Sequence, residues 1–386
     1  MTTPAAVPLP PLRLLNIVVL VLPMIAAVTL VPWYGIAHGY RAIEWLWFVL
    51  LISYCEMSIT AGYHRLWSHA AYKARPVLRV IYALGGAFAL QNNCLTWAAD
   101  HRRHHLHADD DERDPYSAGK GLWYSHFGWM IRDYPVTRED LSNVRDLLKD
   151  PVLIWQRKHY LALVLLMNIG LPVLIGAALG DVAGCFLLLG VLRLVLSQHF
   201  TYLINSAAHR WGKRTYDPRQ SARDNWFIAL FTYGEGYHNY HHTFAWDYRN
   251  GVRWYHYDPT KWLLNCLAWC RLATDLRKCS SYRIEMTRVG VQFKQALLHC
   301  DGLHEPGRWR ERIEAEYSQL VQSLEAWAEA QQAWYQTKSR SFSDELQHDI
   351  AVIKRHYRQL KLEMRHKRAS WQQLLSHVAR SRLQPV

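Results

Sequence analysis

The 386-residue sequence predicts an all-α integral membrane fold: four transmembrane helices, a cytosolic helical cap holding a metal site, and a C-terminal helical hairpin. Three observations predict it. Apolar runs long enough to cross a bilayer occur four times. Nine histidines fall into spaced clusters outside those runs, and the last hundred residues turn polar and charged along a heptad seam.

The four runs cover residues 14–32, 45–62, 161–180 and 182–204. The second carries only Glu56, and the fourth is interrupted by Arg193 and His199. Only Asp181 separates the last two, so they read as a helical hairpin. Val77 to Leu90 is apolar but too short to span and is expected to be a buried or interfacial helix. Four spans put both termini on one side. Residues 63–160 are rich in Lys and Arg (Arg65, Lys73, Arg75, Arg79, Arg102, Arg103, Arg132 and Lys158 among them), whereas the first link holds Arg41 alone and the second neither type. The positive-inside rule then makes segments 63–160 and 205–286 a cytoplasmic cap, with both termini cytoplasmic. No basic stretch followed by a small-residue cleavage site precedes the first run, which is expected to stay in the mature chain.

The formal charge of +13 fits an anionic membrane surface or an acidic partner once the spans are considered, and leaves nucleic acid without support. The 18 Trp and 22 Tyr suit membrane interfaces. Seven cysteines without a CxxC pair, the closest spacing being Cys266 to Cys270, offer neither a disulfide framework nor a thiolate metal site.

Residues 1–286 are therefore expected to form the membrane unit and residues 287–386 the hairpin. In the tail, apolar residues recur at Ile313, Tyr317, Leu320, Leu324 and Trp327. After a break over 339–343 they resume at Leu346, Ile350, Ile353, Tyr357, Leu360, Met364, Trp371, Leu374 and Val378. Spacings of three and four make a heptad seam, and Ser341 with Asp344 resembles a capping box. Two seamed helices with a short break predict an antiparallel hairpin, packing on itself or serving as a docking arm for a partner or a second subunit.

The chemistry sits in the histidines. His64 and His69 follow the second run; His101, His104 and His105 lie in the first cap segment; His209 follows the fourth run; His238, His241 and His242 come about thirty residues later. All fall on the side assigned as cytoplasmic without reference to histidine. Residues three and four apart share a helix face, so each HxxHH points its imidazoles one way and two copies can face each other. The five-residue spacing of His64 and His69 suits a helix end where the backbone bends. Neutral imidazole suits iron, zinc, copper and nickel. Nine such ligands exceed what one zinc ion needs and suit two metals with open positions.

His107 falls off the face of the second cluster, and His199 is as well explained by helix–helix hydrogen bonding as by function. Asp109, Asp110, Asp111, Glu112 and Asp114 read mostly as a solvated loop, with orientation of the imidazoles as the lesser alternative. No HExxH motif places a glutamate for zinc hydrolysis.

At these residues the sequence resembles the membrane fatty acyl desaturases, specifically the Δ9 acyl-CoA (stearoyl-CoA type) group. The resemblance covers about residues 45 to 258 and rests on HRLWSH, DHRRHH, SHFGWM, NSAAHRWG and GEGYHNYHH. It implies a mushroom-shaped protein whose nine histidines hold two iron ions, with Asn205 bound to one through water. It implies O2 as co-substrate and a kinked tunnel that bends the acyl chain, with Gln91, Asn92, Trp97, Asp100, Arg132 and Thr201 among the substrate contacts. Members that bind coenzyme A use basic residues near the second histidine box and after the GW motif. Arg132 keeps one such position, but Ala99 stands where an Arg is expected and Asp133 where a Lys is expected. An acyl group on a lipid or on acyl carrier protein therefore stays an alternative to acyl-CoA. No haem or ferredoxin module is visible in the tail, so electrons are expected from a separate ferredoxin, rubredoxin or cytochrome b5 type donor with its reductase. The rival readings are a membrane di-iron hydroxylase and, from another class, a metal-binding membrane scaffold built around the tail.

Overall fold

A computed structural model describes residues 9–301, 303, 305–340 and 345–381. The chain divides into two compact units at Lys278/Cys279.

Four helices of the first unit are long and apolar enough to cross a membrane: α1 (Leu14–Ala37), α2 (Ala42–Ser68), then Pro151–Leu179 and Val182–Arg210. In hydrocarbon every backbone group must be bonded internally, which forces continuous helix through such runs. Hence α1 does not stop at Pro32, where residues 14–32 were expected to end; it continues to Ala37, and Gly39 with φ 78° turns the chain. α2 starts at Ala42 because the Arg41 backbone and side chain both bond Glu44. From Ser58 to Ser68 it widens to i→i+5 bonding, including His69 N–H to the His64 carbonyl at 3.1 Å. Such widened turns recur at functional sites.

Between the second and third spans lie α3 (Pro76–Ala89) and α4 (Cys94–His107). α3 is the short apolar helix expected from residue 77 onward. It sits directly against α2: a Cβ on Gly86 would collide with the Tyr63 ring, and one on Gly85 with Ser58. α4 begins at Asn93, whose side-chain oxygen accepts from the N–H groups of Leu95 and Thr96, a standard N-cap.

The third span, α5 (Pro151–Leu179), starts ten residues earlier than the apolar run, because Asp150 accepts from Val152 N–H and Pro151 is tolerated in the first turn. The fourth, α6 (Val182–Arg210), continues past residue 204 through His209. Short helices α7 (Trp226–Phe231), α8 (His238–Thr243) and α9 (Pro259–Trp269) complete the cap. Two-residue strands β1 (Lys73–Ala74) and β2 (Ala273–Thr274) pair antiparallel and tie the segment after α2 to the segment after α9. Buried Arg193 on α6 is satisfied by neutral oxygens, those of Leu189, Phe88 and Asn168, as an intramembrane charge requires.

The second unit contains α10 (Ser281–Cys300), α11 (Pro306–Arg340) and α12 (Glu345–Ser381). The boundary expected after residue 286 falls inside α10, which Ser280 caps by accepting from Arg283 N–H. α11 and α12 run antiparallel: Gln331 meets Tyr357, Gln319 meets Lys367, and Trp309 meets His377. Ile313, Leu320, Leu324 and Trp327 pack with Met364, Trp371, Leu374 and Val378, and Val289, Ala296 and Cys300 of α10 complete that core. The hairpin is thus one layer of a three-helix unit, whose seam is filled from within. The expected cap at Ser341 and Asp344 lies outside the described residues, as do the side chains of Leu346 and Ile350.

Candidate metal centre

All nine expected histidines converge, and they sort into two groups. His64, His69, His101, His105 and His241 form one; His104, His209, His238 and His242 form the other, the candidate ligand atoms of each group lying within 4.8 Å of one another. The widened turn of α2 explains the first pair. An α-helix would turn residues five apart by about 140°, whereas i→i+5 bonding brings His64 and His69 to one side. Neither HxxHH box stays whole. His101 and His105 of α4 enter the first group and His104 the second; His238 and His242 of α8 enter the second and His241 the first. The two groups are therefore interlocked, with each helix serving both.

The donor set fits bound cations. His241 Nε2 lies 2.9 Å from Nε2 of both His64 and His105, and His238 Nε2 lies 3.0 and 3.1 Å from Nε2 of His209 and His242. One ring nitrogen of a neutral imidazole is either a single donor or a single acceptor, so N–H···N bonds cannot serve such shared contacts, while a common cation serves them all. Burial first, and neighbouring imidazoles second, hold His69, His101, His105, His238, His241 and His242 well below the usual imidazole range, which keeps them neutral for ligation.

Three of the opposite ring nitrogens lie close to oxygen atoms. His104 Nδ1 lies 2.9 Å from Asp114 Oδ2, His64 Nδ1 lies 3.1 Å from Glu235 Oε2, and His209 Nδ1 lies 2.7 Å from Ser221 Oγ. Ser221 in turn bonds Asp109. An Nδ1–H held by oxygen leaves the Nε2 lone pair free for a metal. Two residues of the acidic run thus support imidazoles, the alternative the sequence had favoured less. Burial pushes the Glu235 carboxyl up, but His64 and Arg65 outweigh it and hold Glu235 below the ordinary glutamate range. Arg65 itself is buried between Glu235 and Asp258. Glu235 and Ser221 escaped sequence reading, since neither has a periodic relation to its histidine; only the position of Glu235 three residues before His238 hinted at it.

A cavity of about 680 Å³ runs beside both groups, with His64, His101, His104 and His238 in its wall. Five of the six expected substrate contacts line it: Gln91, Asn92, Trp97, Asp100 and Thr201. Three are joined directly. Gln91 Nε2 donates to Thr201 Oγ1 at 2.8 Å, and Trp97 Nε1 donates to Gln91 Oε1 at 3.3 Å, while the Trp97 ring stacks on His101 with centroids 4.9 Å apart. Asn205 lines the same cavity with His104 and His238. Burial pushes the Asp100 carboxyl up to about 7 against the opposing pull of Arg103. Arg132 is the exception: its guanidinium turns to the N-terminal segment and donates to the Pro10 carbonyl at 2.7 Å, because Leu12 and Arg132 form a β-bridge there. His199 stands outside both groups, 3.0 Å from His126, which contacts Ser206. His107 is likewise outside them.

Comparison with known proteins gives a consistent picture. The fatty acid desaturase family model matches residues 42–266. The chain is 39% identical to acyl-CoA desaturase 1 of Saccharomyces cerevisiae over 276 residues, 70% of this chain and 54% of that protein. It is 42% identical to a probable acyl-CoA desaturase of Schizosaccharomyces pombe over 266 residues, 69% of this chain and 53% of that one. With human stearoyl-CoA desaturase 5 it shares 38% identity over 254 residues, 64% of this chain and 75% of that protein. The chain spans about half the length of the two yeast relatives.

Proposed function

Given that this chain belongs to the fatty acid desaturase family, we propose that it introduces a cis double bond, at carbons 9 and 10, into a long-chain saturated acyl-CoA. The observation that carries this reading is one cavity walled by both histidine groups and by the hydrogen-bonded set Gln91, Thr201 and Trp97. Its volume falls within the ~300–1,000 Å³ usual for small-molecule sites. The relatives' names, acyl-CoA and stearoyl-CoA desaturase, support the substrate class.

Two iron ions would be held by the five-histidine and four-histidine groups, with Asn205 reaching the second through water. With O2 and electrons from a separate donor protein, they supply the oxidising power that hydrogen removal from an unactivated methylene demands and no side chain can provide.

The protein's own residues do the rest. Trp97, stacked on His101, and the Gln91–Thr201 pair form a polar and aromatic wall that holds one stretch of chain beside the imidazoles. Positioning of this kind decides which carbon reacts. Asp114 and the Ser221–Asp109 pair hold Nδ1 protons and Glu235 stands 3.1 Å from His64 Nδ1, so that Nε2 atoms stay turned inward. Burial of His64, His101, His104 and His238 keeps bulk water from the reacting face. The Lys- and Arg-rich character of residues 63–160 supports a cytosolic cap and an acidic electron donor.

The test is the fatty-acid profile of a desaturase-deficient host expressing the chain, by gas chromatography–mass spectrometry with double-bond localisation, beside a His104→Ala control. New Δ9 monounsaturated chains in the unaltered protein alone support the reading. Hydroxylated chains would replace it with a hydroxylase, and an unchanged profile from iron-loaded protein supplied with several donors would defeat it.

A further inference from the structure

Glu56 is the one charged residue of the second apolar run, and the chemistry described above does not use it. It lies on α2, is 2% exposed, and lines the same cavity as His64 and Thr201. An ionisable group inside a membrane-spanning stretch is costly and marks function by default. The protein leaves this one incompletely satisfied: Glu56 Oε1 has no hydrogen-bond partner among the described residues. Arg193 acts on the carboxyl through charge alone, because its donors go to the Phe88 and Leu189 carbonyls and to Asn168 Oδ1. Ser197, also beside it, shares its hydroxyl with Cys55 Sγ at 3.1 Å.

Two helices fix the depth of this carboxyl. On α2, Glu56 comes eight residues before His64; on α6, Ser197 comes four before Thr201 and twelve before His209. Both helices leave their apolar stretches at the histidine end. Glu56 therefore lies on the membrane side of the histidines, about one helical turn (~5 Å) beyond the Gln91–Thr201 pair. Elsewhere the cavity is open, since Arg13 and Arg138 of its lining have side chains 27% and 64% exposed. An acyl chain whose bulky carrier stays at the open end passes the histidines first and reaches Glu56 with its methyl half.

We propose that Glu56 is a specificity-determining residue that holds a hydroxyl group on the methyl half of the acyl chain, so that a hydroxyacyl thioester is preferred over the plain one. This rests on the acyl desaturase reading above and narrows its substrate. A plain chain lying over Glu56 leaves a buried acceptor unsatisfied, which costs more than an ordinary hydrogen bond gains. A hydroxyl both donates and accepts, so it satisfies the carboxyl with or without a proton on it. Sites built to bond a substrate hydroxyl discriminate strongly against the analogue that lacks it.

The probes are stearoyl-CoA and a set of hydroxystearoyl-CoA isomers carrying the hydroxyl at successive carbons past carbon 10. Kd, and kcat/KM in competition, are measured with the full iron-loaded chain and its Glu56→Met and Glu56→Gln variants. The unaltered protein should bind at least one isomer roughly tenfold more tightly than stearoyl-CoA. Glu56→Met should erase that preference and tighten stearoyl-CoA, a gain that general damage would not produce. Glu56→Gln keeps an acceptor and a donor and should retain part of the preference. Unaltered protein that desaturates stearoyl-CoA and favours no isomer, or a preference that survives Glu56→Met, would overturn the hydroxyl subsite while leaving the desaturase reading intact. Hydroxyl-selective binding that Glu56→Met abolishes, with no double bond formed in any probe, would support the subsite and defeat the desaturase reading. Unaltered protein that binds no thioester at all would overturn both.

Discussion

Asp114 reaches back ten residues to His104, placing Oδ2 2.9 Å from Nδ1, with both side chains buried. A carboxylate on the outer nitrogen fixes the tautomer and strengthens the inner nitrogen as a ligand. Asp114→Asn should therefore lower metal affinity by about 10–100-fold, read as metal retained during chelator titration. Glu112→Gln, in the same acidic run but exposed, should retain metal like the unaltered chain.

Gln91 is the hub of the polar wall beside the histidines, bonding both Thr201 and Trp97. Gln91→Leu removes both bonds at nearly constant size. The double bond should spread from one position to several, and turnover should fall by about 10–100-fold, since a misplacement of 1 Å costs on that order. Double-bond localisation on the products measures the first effect; a single unchanged position would count against this role.

Arg65 is buried between Glu235 and Asp258 and also donates to the Tyr248 carbonyl at 2.7 Å. Arg65→Met leaves two buried carboxylates facing each other. The loss should be about 3–5 kcal/mol, seen as a clear drop in the thermal midpoint of the first unit. Arg210→Met, at an exposed site, should cost little by the same measurement.

Arg138 first, and Arg13 second, hold the Asp133 carboxyl down to about 2. A lowered carboxyl pKa stabilises the folded chain above its unfolded value near 3.9, and that contribution disappears as pH falls from about 4 to about 2. The N-terminal segment should therefore become more accessible to an acid protease across this window in the unaltered chain. Asp133→Asn should show the more accessible state throughout and no pH dependence of its own there.

Trp371 is fully buried in the second unit, where its Nε1 donates to Gln292 Oε1 at 3.0 Å. Trp371→Ala should destabilise that unit by about 3–5 kcal/mol and expose α11 and α12 to limited proteolysis. Metal retention should stay unchanged, because all nine histidines belong to the first unit.

What the sequence determined by itself was whatever depends on local pattern. Apolar length marked the four spans, since hydrocarbon leaves a chain no alternative to helix. Clustered histidine, repeated four times, marked all nine members of the two groups that could hold a metal. Helix ends were less legible, because Asp150 and Asn93 set them through caps rather than through hydropathy. The tail likewise read as a hairpin, since α10 shows its contribution only when packed against the other two helices.

Tertiary structure alone decided how the histidines divide. Spacing put His101, His104 and His105 on one helix face, but only the approach of α8 sends His104 to one group and its two neighbours to the other. It also decided that Glu235 and Ser221 stand beside imidazole nitrogens, and that Arg13 rather than Arg132 lines the cavity. These are contacts between residues far apart in the chain. Local periodicity carries no information about them, because they form only when separate helices are brought within hydrogen-bonding distance.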